Sequence, residues 1–346
     1  MVNIIGTPGD DSFENSLLGT NEADILIGLA GNDFLVGSFG SDILIGGTGI
    51  DVLIYDGLTI GLRVNTNTFD IDGIAAGTVE KIGVGIDTVD GFEAVHLSQA
   101  DDVAYIGQTS APGHATYTFD KAGDDYVEVA SRPDSEGHIF YAGSGHDIFV
   151  GTDAPDRIDY YASNEFDDGG LQTQGIVVTF DGVGSGEIVD AWGFIDTFTS
   201  VENFNGTDFD DQIKGSQGGE IFNTFGGDDK IFARGGDDVI NGGDGEDTID
   251  GGNGNNYIEG GADSDIFVIA SNSSGYTVIG DFEDGIDRID LRDFGLGDNA
   301  NQLIKGAASK LSATAVEIDL AALGGDGLLL VEGLGPRDMN GADFIF

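Results

Sequence analysis

The sequence predicts an all-β chain wound as a parallel β-roll or β-solenoid, and three observations carry that prediction. A nine-residue unit, glycine-rich at its start and acidic at its sixth position, recurs over seven consecutive copies without a slip. The eighth position of every one of those copies is apolar. The remainder of each unit is rich in glycine, as in a disordered acidic chain, yet too regular in its repetition to be one.

Cut from Gly206, the copies read GTDFDDQIK, GSQGGEIFN, TFGGDDKIF, ARGGDDVIN, GGDGEDTID, GGNGNNYIE and GGADSDIFV, ending at Val268. Their sixth positions are Asp211, Glu220, Asp229, Asp238, Asp247, Asn256 and Asp265. Their eighth positions are Ile213, Phe222, Ile231, Ile240, Ile249, Ile258 and Phe267. An earlier block from Gly19 carries Asp24, Asp33, Asp42 and Asp51, with Leu26, Leu35, Leu44 and Leu53 two places after them. An outlying unit, GTPGDDSFE at 6–14, leads into it. A short block at 142–159 supplies Asp147 and Asp156, and a degenerate unit, DKAGDDYVE at 120–128, supplies Asp125.

Positions seven to nine read as a three-residue strand whose middle side chain alone points inward. The other six form a turn in which glycine permits positive φ and close backbone approach. A strand so short does not survive by itself, so units must stack. Two units per coil place every second strand about 4.8 Å from the last, around a thin aliphatic core.

Composition limits the partners. The chain has 63 acids against 13 bases, a formal charge of −50 and no cysteine. That charge excludes a nucleic-acid partner bound through phosphate neutralisation and opposes anionic membranes, and it favours cations. Disulfides and thiolate metal sites are absent with the cysteines. Yet 40% of the residues are hydrophobic, including 22 Phe, so the chain buries a core once its charge is neutralised. No apolar window is long enough for a transmembrane helix, and MVNIIGTPGDDSFEN lacks the marks of a cleaved signal peptide. Either the protein stays in the cytosol or it leaves by a route that does not read its N-terminus.

Stacking makes the acids the central problem. Residues 18 apart face one another along each edge. Two carboxylates about 5 Å apart repel by roughly 1 kcal/mol in water, and by roughly 3 kcal/mol near a protein surface. Summed along a ladder, this opposes a thin core. A divalent cation between successive loops reverses the sign. Ca²⁺ suits such loops best, because it takes roughly six to eight hard oxygens, backbone carbonyls included, in loose geometry. Several such ions are expected, and they complete the fold.

Blocks 19–54 and 206–268 resemble the RTX, or haemolysin-type, family of calcium-binding repeats, whose signature is G-G-x-G-x-D-x-U-x. The resemblance implies a right-handed parallel roll in which an Asp from each of two same-edge loops joins glycine-loop carbonyls around each ion. Carried over by position, the pairs are Asp24 with Asp42, Asp33 with Asp51, Asp211 with Asp229, Asp229 with Asp247 and Asp247 with Asp265. Glu220 with Asp238 is a weaker pair, and Asn256 weakens its step with Asp238 by lacking a charge. The loop glycines on the same pattern are Gly28, Gly31, Gly37, Gly40, Gly46, Gly49, Gly227, Gly236, Gly242, Gly245, Gly251, Gly254 and Gly260. Thr replaces the second glycine at Thr7, Thr20, Thr152 and Thr207, and each of these opens a block, where no earlier loop can share an ion.

The organisation expected is therefore a roll over 1–54, a solenoid insert over 55–141, a short repeat block over 142–159, a second insert over 160–205, a roll over 206–268, and a cap with a secretion signal over 269–346. The inserts share a module: IDTVDGFEAVHLSQADDVAYIG at 86–107 returns as IDTFTSVENFNGTDFDDQIKG at 195–215. They are expected to continue the solenoid as wider, calcium-poor coils, with Phe92, Val95, Val201 and Phe204 in the core. The segment after Val268 resembles the cap of secreted RTX proteases and related exoproteins. The closing ADFIF resembles the uncleaved C-terminal signal of type I secretion substrates, and also reads as a final core strand.

Catalytic motifs are sparse. The histidines His96, His114, His138 and His146 form no His-Glu-x-x-His, and no Gly-x-Ser-x-Gly elbow occurs. Tyr117, Lys121, Arg132, His138, Tyr141 and His146 are the one group of the kind that polysaccharide lyases use as base, acid and carboxylate neutraliser, and they read equally as residues of an irregular coil. His138 and His146 near Asp147 offer an alternative transition-metal set. The function expected is that of an extracellular calcium-binding β-roll without catalysis, exported by the type I machinery and serving as a structural, surface-layer, matrix or adhesive component. Its partners beyond calcium are itself or a cell-surface polysaccharide. The rival expectation is a polysaccharide-modifying epimerase or lyase acting on a solenoid face.

Overall fold

The computed structural model describes residues 2–11, 16–107, 115–130, 137–161 and 171–346. It divides into two compact units, Met1–Gln172 with Trp192–Val201, and Thr173–Ala191 with Glu202–Phe346. Both are built from parallel coils of short strands, and the predicted all-β solenoid is the fold.

In the first unit, Asn3–Ile5, Ile25–Ala30, Ile43–Thr48 and Gly85–Asp90 stack in parallel register along one side. Leu17–Leu18, Phe34–Val36, Val52–Ile54, Ala94–His96, Thr116–Phe119, His138–Tyr141 and Arg157–Asp159 stack along the other. The middle residue of each roll strand turns inward as its position requires: Leu26, Leu35, Leu44 and Leu53 are completely buried. Val95, Phe140 and Ile158 continue that column through the insert.

The second unit repeats the plan. Gln212–Lys214, Lys230–Phe232, Thr248–Asp250, Ile266–Val268 and Arg288–Asp290 form one side, and Phe344–Ile345 pairs onto its end. Asn203–Asn205, Ile221–Asn223, Val239–Asp244, Gly254–Ala262, Gly275–Ile279 and Leu328–Glu332 form the other. The closing ADFIF thus supplies a core strand, with Phe344 buried against the last coil.

Three features depart from the sequence-based picture. Some strands run past position nine, as in Ile25–Ala30 and Gly254–Ala262, because the glycine turns of neighbouring coils also pair, Leu29 with Gly47 and Gly243 with Gly261. The inserts are not wider coils throughout. In the first, Leu62–Asn65, Thr78–Lys81 and Gly85–Asp90 run antiparallel to one another, and in the second Val177–Gly182 folds back on Ser185–Val189. Tight glycine turns at Gly83 and Gly184, both with positive φ, permit these reversals where a parallel step would need a whole coil. Finally, the cap contains a two-turn helix, Ala300–Ala307, whose Ala300 and Ile304 are buried, beside an antiparallel sheet of Ala308–Lys310, Ala315–Asp319 and Leu328–Glu332. Phe92, Val95, Val201 and Phe204 are all buried, as the module pattern required.

Candidate metal centres

The sixth-position acids form hydrogen-bonded ladders. Along each ladder one side-chain oxygen accepts the backbone N–H of the acid one coil earlier, while the leading acids Asp24 and Asp211 accept from Val2 and Ile176. Asp24 N–H donates to Asp42 Oδ1 at 2.9 Å, Asp33 to Asp51 at 2.9 Å, and Glu220 to Asp238 at 2.9 Å. Asp211 donates to Asp229 at 2.7 Å, Asp229 to Asp247 at 2.8 Å and Asp247 to Asp265 at 3.0 Å. Asp238 donates to the Asn256 amide oxygen at 3.1 Å, so Asn256 keeps the ladder while lacking the charge. The insert uses the same device: Asp102 donates to Asp125 at 2.7 Å, Asp125 to Asp147 at 2.9 Å, and Asp147 to Asp196 at 2.9 Å. His138 N–H donates to Asp156 Oδ1 at 2.5 Å. The ladder explains the module residues too, because Asp42 donates to Asp87 at 2.7 Å and Asp51 to Glu93 at 2.9 Å.

What happens to the second oxygen divides these acids into classes. In the first, a neighbouring hydroxyl or amide takes it. Thr20 donates both its N–H and its hydroxyl to Asp24 Oδ2 at 2.6 Å, and Thr152 does the same for Asp156 at 2.5 and 3.0 Å. Thr207 N–H reaches Asp211 Oδ2 at 3.0 Å, and the Ser216 hydroxyl reaches Glu220. In the second, a buried tyrosine supplies the donor: Tyr55 to Asp87 Oδ2 at 2.7 Å, and Tyr160 to Asp196 Oδ2 at 2.5 Å. Lys81 completes this group. Its ammonium donates to the Ser38 carbonyl at 2.6 Å and to Asp87 at 2.5 Å, and lies 3.5 Å from Asp42 Oδ2, so a tethered cation already neutralises the Asp42–Asp87 step.

The third class has nothing. Among the described residues, Oδ2 of Asp33, Asp51, Asp125, Asp229, Asp238, Asp247 and Asp265 is buried without a hydrogen-bond partner. An uncompensated buried carboxylate oxygen is costly. The electrostatics register that cost. Burial pushes Asp229 and Asp265 up to about 8, Asp238 to about 7, and Asp51 and Asp247 to about 6. By contrast, the Thr20 hydroxyl and amide hold Asp24 below the usual carboxylate range.

The glycines show where a cation fits. A Cβ at Gly28 would sit 2.5 Å from both Asp33 Oδ2 and the Gly46 carbonyl oxygen. At Gly242 it would meet Asp247 Oδ2 and, at 2.6 Å, the Gly260 carbonyl. Gly46 and Gly260 likewise face Asp51 and Asp265, whereas Gly37 faces the Tyr55 ring and Gly251 the Asn256 amide. The fourth-position glycines, Gly31, Gly40, Gly49, Gly227, Gly236, Gly245 and Gly254, all have positive φ and lie against the preceding coil's backbone. Carboxylate and carbonyl oxygens of successive coils thus converge where a side chain is missing. That hard-oxygen donor set suits calcium. When bound there, calcium supplies the positive charge that the orphaned oxygens lack.

Sequence reasoning missed the Thr, Ser, Tyr and Lys donors and a second ladder at position five. Asp228 N–H donates to Asp210 Oδ1 at 2.9 Å, Glu246 to Asp228 at 3.0 Å, Asn255 to Asp237 at 2.8 Å and Asn32 to Asp10 at 2.8 Å. The recurring Asp or Asn at that position was the available signal. Steps with both ladders, such as Asp211–Asp229 beside Asp210–Asp228, are therefore gripped by two carboxylate-to-amide bonds of opposite direction.

Among the described residues, Tyr117, Tyr141 and Lys121 gather around Phe119, and His138 and His146 do not join them. His138 lies inside the coil, with its ring nitrogens 2.6 and 2.9 Å from the Thr116 and Thr118 hydroxyls. His146 is exposed, packed edge-on to Phe194 with Nδ1 at the Ile195 backbone, so the two histidines do not share a metal with Asp147. Tyr117 and Tyr141 pack around Phe119, and Lys121 reaches Asp56 at 3.4 Å. Arg132 and His114 lie outside the described residues.

The profile of the family described as the RTX calcium-binding nonapeptide repeat, in four copies, matches residues 18–53, 205–240 and 234–267. No curated protein matches the chain significantly. Among solved structures, the AlgE6R3 subunit of the Azotobacter vinelandii mannuronan C5-epimerase is 25% identical over 40% of this chain and 79% of its own, with a TM-score of 0.21. The extracellular lipase LipA from Serratia marcescens is 12% identical over 73% of this chain and 40% of its own, with a TM-score of 0.27.

Proposed function

Starting from a chain that is an RTX-type calcium-binding repeat protein, we propose that it is secreted and winds into its rolls on meeting extracellular calcium. The observation that carries this reading is the set of buried, unpartnered Oδ2 atoms at Asp33, Asp51, Asp229, Asp238, Asp247 and Asp265. Loops closed by their own threonine, serine, tyrosine or lysine need no ion, so the Asp24–Asp42 step is not counted among the seats. Cytosolic calcium is too low to fill sites of the extracellular class, whose dissociation constants run from about 10⁻⁴ to 10⁻³ M. The −50 chain stays unfolded inside, crosses a type I channel and folds outside. Among the described residues no helix is long and apolar enough to span a membrane.

The role proposed is non-catalytic, as a structural, surface-layer, matrix or adhesive component. His138 engaged by two threonines supports that reading over the polysaccharide-acting one. Circular dichroism in EDTA and then in millimolar calcium tests the folding. A chain already β-rich in EDTA at pH 8 counts against it. Incubation with alginate or pectin tests the role, and unsaturated products would overturn it.

A further inference from the structure

We propose that Asp120, Asp125 and Asp147 form a three-carboxylate calcium site in the first unit, separate from the two-carboxylate steps of the rolls. The residues come from adjacent coils, one at the end of the first insert and one in the short repeat block, where the strands Tyr126–Val129 and Ile148–Val150 stack. One carboxylate oxygen from each lies within 4.8 Å of the others, and all three residues are buried. The repeat explains how a third acid enters. In DKAGDDYVE, Asp120 holds the first position, which elsewhere in the rolls is mostly a glycine folded against the sixth-position carboxylate. Here that position brings a carboxylate of its own.

A second observation points to a ligand. Asp125 is 2% exposed, and its Oδ2 has no hydrogen-bond partner among the described residues. Its Oδ1 is already committed to the Asp102 amide, so Oδ2 is the oxygen that Asp125 brings to the cluster. Gly143, on the next coil, keeps the space open: a Cβ there would meet Asp120 Oδ1 at 2.8 Å and the Lys121 carbonyl. Three carboxylates with a backbone carbonyl beside them make an all-oxygen donor set for a hard divalent cation. Because carboxylate count tunes calcium affinity, this site fills before the roll seats. The inference rests on the calcium reading of the rolls, and the test separates the two.

Isothermal titration of the full chain with calcium is the measurement, on the wild type, Asp120→Asn, Asp120→Gly and, as a roll control, Asp265→Asn. The wild type is expected to show one site at least roughly tenfold tighter than the rest. Asp120→Asn removes that tight class and leaves the weaker ones, and Asp265→Asn keeps the tight class while lowering the number of weak sites. Asp120→Gly restores the residue the repeat normally carries, so its coil folds even if the asparagine variant does not, and it converts the tight site into one more weak step. A tight class that persists in both Asp120 variants, or a wild type without one, overturns the proposal while the rolls still bind calcium. A wild type that takes up no calcium overturns the reading of the rolls and this site with it.

Discussion

At the scale of single residues, the second oxygen of each ladder acid decides what its coil requires. Thr207 and Asp247 illustrate the contrast. The Thr207 hydroxyl sits 3.0 Å from Asp211 Oδ1 and its N–H serves Oδ2, so both oxygens of that acid are hydrogen-bonded even though burial pushes it up to about 6. Thr207→Val removes one donor from a buried carboxylate and should cost about 1–3 kcal/mol in urea unfolding at saturating calcium, with the number of bound ions unchanged. Gly242→Ala should behave oppositely. Its new methyl occupies the space between Asp247 Oδ2 and the Gly260 carbonyl, so the calcium midpoint of the second unit should rise by roughly tenfold, equivalent to about 1.4 kcal/mol. A midpoint within error of wild type would show that calcium does not use that space.

At the scale of an element, the antiparallel excursion of the first insert carries its own counter-ion. Lys81 ends the strand Thr78–Lys81, and its fully buried ammonium joins Asp42 to Asp87 across the junction between roll and insert. A buried lysine is tolerated there because two carboxylates and a carbonyl surround it. Lys81→Met should leave two buried carboxylates uncompensated and cost about 3–5 kcal/mol in the first unit, measured at saturating calcium. Unchanged stability would mean that Asp42 and Asp87 are neutralised by another route.

At the scale of the whole molecule, the ladders couple folding to both calcium and protons. Carboxyl groups raised to about 6, 7 and 8 in the metal-free fold bind protons that the unfolded chain, with its ordinary carboxyls near 3.8, has released. Their contribution to stability is therefore fully present below pH ~4 and is lost as pH rises through ~6 to 8. In EDTA the chain should be β-rich near pH 4.5 and lose that signal by about pH 8, followed by circular dichroism. Calcium binding should show the opposite slope, weakening as pH falls, because protons compete for the same oxygens. A fold in EDTA that strengthens with rising pH would refute this linkage.

The sequence by itself determined the roll: nine-residue spacing fixes which side chain points inward, and a doubled spacing fixes which acids stack, as Leu26 over Leu44 and Asp229 over Asp247 bear out. These are local consequences of a strict period and need no long-range information. Only the tertiary structure decided which acids are left unsatisfied. Tyr55, 32 residues from Asp87, Lys81, 39 residues from Asp42, and Tyr160, 36 residues from Asp196, meet them because the inserts fold back, and no periodicity encodes those approaches. The threonine donors lie four residues from their acids and were visible as departures from glycine, but their meaning depended on which way each carboxylate turns. Asp120 stayed hidden for the same reason, since a third acid becomes a ligand only once adjacent coils bring it against the other two.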